Sequence, residues 1–86
     1  MKAVVLYHPN SDHARIVEDY SIDFKKNKNH ELKPLSLETP EGSETAKLYD
    51  ILSYPAILVT QNDGQLIKDW QGLPLPLMDE VAAYAA

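Results

Sequence analysis

Short apolar runs separated by polar, proline-bearing punctuation divide the chain into seven predicted segments. KAVVLY, residues 2 to 7, reads as a mostly apolar strand that stops at HPNSD. Ser11 or Asp12 can cap the helix that follows, whose His13, Ile16, Val17, Tyr20 and Phe24 recur at three- and four-residue spacing and form one apolar stripe. That helix is expected to fade at KKNKN. Lys25, Lys26 and Lys28 complement a helix carboxyl end, and the asparagines favour exit. ELKPLSLE, residues 31 to 38, alternates weakly through Leu35 and Leu37, and Pro34 within it points to a sheet edge or a late start.

TPEGS then punctuates the chain. Ser43 is a good cap for a short helix with Thr45, Leu48, Tyr49 and Leu52 on its core face. Pro55 opens AILVT, whose poor alternation and high hydrophobicity suit a strand covered on both faces. QNDG is the strongest turn signal, with Asp63-Gly64 suited to the positive backbone angles of a tight hairpin. QLIKDW, residues 65 to 70, is the returning strand, with Trp70 placed as a core anchor on the face of Leu66. Gly72 breaks it, Pro74 and Pro76 punctuate the link, and Leu77, Met78, Val81, Ala82 and Ala85 form the face of a terminal helix.

Strand, helix, strand, helix, hairpin and helix in that order predict an α/β domain spanning residues 1 to 86. Two strands each followed by a helix favour parallel pairing through right-handed crossovers, and the hairpin adds an antiparallel pair. The expected solution is a mixed four-stranded sheet with helices on both faces.

Charge narrows the partners. The chain has 8 Lys and Arg against 13 Asp and Glu, a formal net charge of −5, which disfavours attraction to phosphate backbones and anionic lipid. Lys25, Lys26 and Lys28 are then a solvated helix end, and neither nucleic acid nor membrane is expected as a partner. AVVLY is too short for a signal peptide and no apolar run is long enough to span a bilayer, so the expected compartment is the cytoplasm.

LYDILSYPAILVTQNDGQLIKDWQG, residues 48 to 72, resembles the thioredoxin-like superfamily in its minimal thioredoxin or glutaredoxin core. A helix ends in an apolar turn, an X-Pro pair opens an apolar strand, and a glycine-bearing hairpin leads to a strand ending in Gly72. The resemblance covers nearly the whole chain and implies a β-α-β-α-β-β-α sandwich with a cis bond between Tyr54 and Pro55. It also implies that the family's two cysteine positions, at the start of the first helix, fall on Ser11 and Ala14, with Asp12 and His13 between them. Val5 and Asn10 stand where the thioredoxin branch has a buried acid and a tryptophan. The chain has no cysteine, and thiol–disulfide exchange requires a thiolate.

The expected function is therefore noncatalytic protein or peptide binding, without a cofactor, by a partner the sequence does not name. In the resembling enzymes the backbone before the cis proline holds an extended peptide, which makes Pro9, Asn10, Ser11, His13, Tyr54 and Pro55 the candidate peptide-binding residues. Leu73 and Leu75 are a candidate partner-contact lip. An alternative is a nonredox or glutathione-dependent enzyme built on Ser11 with His8 or His13 as base, its cations being Arg15 and Lys47. No Ser-x-x-Lys or G-x-S-x-G context supports it, and capping accounts for Ser11. A structural oligomerisation module is a further alternative. His8, Asp12 and His13 carry metal-ligating atoms, but their spacing does not place them on one face, and no metal is expected.

Overall fold

The computed structural model describes residues 1–85; Ala86, the last residue of the expected domain, lies outside the described residues. The elements are β1 (Lys2–Tyr7), α1 (Ala14–Lys28), β2 (Leu32–Ser36), α2 (Pro40–Leu48), β3 (Ala56–Thr60), β4 (Leu66–Gln71) and α3 (Met78–Ala85). They form one sheet in the order β2-β1-β3-β4. β2 runs parallel to β1, while β3 pairs antiparallel with both β1 and β4. This is the expected mixed four-stranded sheet.

Alternation along the central strands divides the core. Ala3, Val5, Ile57 and Val59 meet Val17 and Phe24 of α1 and Val81 and Ala85 of α3 on one face. Leu6, Ala56 and Leu58 meet Leu35, Ala46 of α2 and Ile51 on the other. All five residues of β3 are buried, which is why AILVT shows no polar alternation. Pro34 sits inside β2 opposite Val5, and Leu37 N–H donates to the Tyr7 C=O at 2.9 Å. The alternation of a parallel ladder therefore turns Lys33 and Leu35 toward β1 and Pro34 outward, so its missing N–H falls on the free edge.

Several sequence expectations need correction. α1 begins at Ala14 behind His13, with no side-chain cap. Ser11 is held in a turn instead, its N–H and Oγ both directed to the His8 C=O. The buried positions of α1 are Ala14, Val17, Ser21 and Phe24, and Ile16 is 48 % exposed. Asn29 does end the helix, at φ 52 with its N–H on the Lys25 C=O.

In α2 the cap is Thr39, not Ser43. Thr39 Oγ1 accepts from Gly42 N–H at 3.1 Å and Pro40 occupies the first turn. Its buried face is Gly42 and Ala46, while Leu48 is 73 % and Leu52 80 % exposed. Small residues carry this face because α2 lies against β2. A Cβ on Gly42 would stand 1.9 Å from the Ser36 carbonyl oxygen.

Residues 61–65 connect β3 to β4, closed by the Gln61 N–H on the Gln65 C=O at 2.8 Å, and only Gly64 among them takes a positive φ, 93°. Asp63 instead accepts the Gln65 N–H on its carboxylate at 3.0 Å. The register shifts between Val59, paired with Lys68, and Thr60, paired with Leu66. The extra residue is Ile67, and a one-residue slip exchanges the faces of a strand. Leu66 accordingly packs with the α2 side and Trp70 with the α1 and α3 side, so the two do not share a face. Leu77 precedes α3 and is exposed, whereas Val81 and Ala85 are buried and Ala82 packs partly against them. Tyr54-Pro55 is cis, and so is Leu73-Pro74.

Candidate functional site

Three loops converge at one end of the sheet. β1 ends at Tyr7 and delivers His8, the β2–α2 connection brings Leu37 and Glu38, and the approach to β3 brings Leu52, Ser53 and Tyr54. The His8 imidazole meets the Tyr54 ring edge-on, with centroids 5.2 Å apart and planes at 77°. His8 N–H donates to His13 Nε2 at 3.1 Å. Ser11 Oγ donates to the His8 C=O at 2.6 Å, and Asn10 Nδ2 donates to Glu38 Oε1 at 3.2 Å, tying two loops together. Tyr54 OH donates to the Ile51 C=O at 2.9 Å.

Burial, and next the neighbouring His8, lower the His13 pKa from its ordinary value, with Asp12 opposing them. An imidazole that accepts at Nε2 carries its proton on Nδ1. His13 is thus a neutral acceptor that organises the loop. The Ser11 hydroxyl spends its proton on a carbonyl, so no Ser–His pair is assembled and the serine-enzyme alternative lacks its first geometric requirement. Among the described residues no three His, Asp or Glu side chains gather into a metal-holding group.

Beside His8 and Tyr54 lies an open cavity of about 420 Å³. Leu37, Ala46, Ile51 and Leu52 give it an apolar lining, and Ser43, Lys47 and Asp50 add polar groups. His8 and Tyr54 form its wall toward β3, whereas Pro9, Asn10, Ser11 and His13 do not line it. Pro55 is buried, and its C=O accepts the Gly72 N–H at 2.9 Å. Among the described residues neither the Tyr54 N–H nor its C=O has a hydrogen-bond partner in the chain. Gln71 Oε1 instead takes the preceding N–H groups of Leu52 and Ser53, at 3.1 and 3.2 Å.

Sequence reasoning missed Leu37, Ser43, Asp50 and Leu52 as cavity residues and left His8 as a loop residue. The usable signal was the apolar excess at the end of α2 and just after it: once Gly42 and Ala46 are assigned inward, Leu48 and Leu52 are left without core partners. The predicted lip divides, since Leu73 is 54 % exposed while Leu75 packs partly into the core.

No family model matches the chain, and no curated protein matches it. Among solved structures it is similar to thioredoxin 1 from the thermophilic eubacterium Thermosipho africanus TCF52B, at a TM-score of 0.67 and 12 % identity. The match covers 98 % of this chain and 89 % of that one.

The fold is thioredoxin-like.

In this thioredoxin-like chain the end of β1, the start of α1 and the entrance to β3 meet as the resemblance implied, but the meeting point holds His8, His13 and Tyr54. With no cysteine among 86 residues, the chain supplies neither the thiolate that opens a disulfide nor the second thiol that resolves a mixed one. It has no dithiol oxidoreductase activity of its own. No helix among the described residues is long and apolar enough to cross a membrane.

Proposed function

We propose that this thioredoxin-like chain is a noncatalytic protein- or peptide-binding module whose site lies at the β3 entrance, where Tyr54 and His8 border the cavity and the loop from Pro9 to His13 stands behind them. The observation that carries the reading is the backbone of Tyr54. Its N–H and C=O have no partner in the chain beside a cavity of about 420 Å³. An extended segment of another protein can satisfy both groups by strand-like pairing and seat one apolar side chain against Leu37 and Leu52. Ser11 and His13 act in this reading by fixing His8, whose ring backs Tyr54, and Asn10 ties their loop to Glu38. Pro55 fixes where the strand starts.

Selection from a random library of extended peptides tests the reading. The expected ligands carry a large apolar residue and lose at least about tenfold in affinity when Leu52 is changed to Asp, a substitution at an exposed position that leaves the fold intact. Selection of no peptide, or equal affinity for the variant, would remove the β3 entrance as the site. A disulfide-reduction assay should give no turnover above a protein-free control.

A further inference from the structure

The two edges of the sheet are not equally finished. On β2 the outward backbone positions are Leu32, Pro34 and Ser36, of which Pro34 has no N–H. The Ser36 C=O is taken by the Thr39 N–H and hydroxyl at 3.2 and 2.7 Å. That edge is blunted by the devices that prevent strand addition. On β4 the Gly72 N–H donates to the Pro55 C=O, so residues 72, 70 and 68 face β3, while Gln71 and Asp69 turn their N–H and C=O outward. No proline interrupts β4, and no strand of the described chain pairs with it besides β3, α3 meeting its face through Trp70 and Tyr84.

We infer that the free edge of β4 is a self-association surface, on which a second copy of this chain pairs antiparallel about a twofold axis at Trp70 to make a continuous eight-stranded sheet. The residues select this partner and register. A perpendicular twofold axis keeps each side chain on its own face, so a register centres on a residue. Ile67 is the extra residue that interrupts the ladder, and centring on Gln71 runs the partner strand into Leu73 and Pro74, which leaves residues 68, 69 and 70. Centring on residue 68 sets Lys68 against Lys68, and centring on residue 69 sets Asp69 against Asp69, both repulsive. Centring on Trp70 sets each Asp69 carboxylate opposite a Gln71 amide and each Lys68 opposite Gly72. Asp69 and Gln71 already recognise each other within one chain, Gln71 Nε2 donating to Asp69 Oδ2 at 2.8 Å. In the same register the outward N–H and C=O of residues 69 and 71 pair reciprocally across the axis. The two Trp70 rings, each already edge-on to a Tyr84 that is 42 % exposed, form the closer non-hydrogen-bonded pair.

Backbone amide hydrogen exchange, followed with sedimentation over a wide concentration range, reads this directly on the unaltered chain. The expected result is a reversible dimer in which the Asp69 and Gln71 amides gain protection as concentration rises, while those of Lys68 and Trp70 are protected throughout. Asp69→Pro, which removes an outward N–H and leaves the β3 ladder complete, should weaken the dimer about tenfold or more, and Asp69→Asn should leave it within about threefold. A chain that stays monomeric with Asp69 and Gln71 amides exchanging freely at every concentration would overturn the inference. So would a dimer that a folded Asp69→Pro variant retains, or protection of these amides only when an unrelated extended peptide is added to a monomer.

Discussion

On one face of the sheet, α1 and α3 press Phe24, Val17 and Val81 into a layer that also takes up Tyr20, Trp70 and Met78. On the other, the nine-residue α2 brings Gly42 and Ala46 against β2, and Ile51 closes the layer. The first face is built from large side chains at helical spacing. The second buries Leu6, Leu35, Leu58 and Ile51, but α2 comes so close to β2 that it adds only Gly42 and Ala46, while Leu48 and, beyond the helix, Leu52 stand in solvent. The two-helix face is the thicker and holds Phe24, the largest fully buried side chain, and the thinner one-helix face borders the cavity beside Tyr54. The sheet thereby separates the Phe24 core from the cavity.

The largest expected effect lies on the thicker face. Phe24 is fully buried, and Phe24→Ala should cost about 3–5 kcal/mol in urea unfolding, enough to endanger a chain of this size. Gly42→Ala probes the thinner face by the opposite route, adding an atom where the Ser36 carbonyl already stands. It should cost about 1–3 kcal/mol and disturb the cavity lined by its neighbours Ser43 and Ala46. Leu52→Ala should change stability by less than about 0.5 kcal/mol while weakening peptide binding. Equal losses of stability from Phe24→Ala and Leu52→Ala would erase the distinction between the faces.

The smallest effect is a pH dependence at the loop that backs the site. His13 is lowered in the folded chain, so near and just below its ordinary pKa of 6.5 the unfolded chain binds more protons than the folded one. The contribution is complete above pH 6.5 and declines as pH falls through the folded value. Urea midpoints measured downward from pH 7 should fall less for His13→Asn than for the unaltered chain. Tyr20 behaves oppositely. Burial, and next Glu80, raise its phenol to about 12 while its OH donates to the Pro76 C=O at 2.8 Å, so its contribution is lost as pH rises from 10 toward 12.

The element order was legible in the sequence because β1, β3 and α1 are marked by large apolar residues at the right periods, and because Gly64, Gly72 and Asn29 mark their ends by backbone chemistry. Pro34 correctly located an edge. What was illegible depended on small residues and on register. Gly42 and Ala46 carry too little hydrophobicity to outweigh Leu48 and Leu52 in a pattern, and the stripe was therefore rotated onto the wrong side. One extra residue at Ile67 moved Leu66 and Trp70 to opposite faces, which no alternation within LIKDW announces. Tyr54 stands out in the sequence by its place before Pro55. The cavity beside it was hidden because its walls come from α2 and the β2–α2 connection, which meet His8 only after folding.

A nitrogen-15 NMR titration of the unaltered chain with a library-selected extended peptide tests the central claim most directly. The account predicts saturable shifts concentrated at the amides of His8, Leu52, Ser53 and Tyr54, with the Tyr54 amide moving downfield as it gains an acceptor. Saturation with the Tyr54 amide unmoved, and the shifts gathered on α1 or α3, would contradict it.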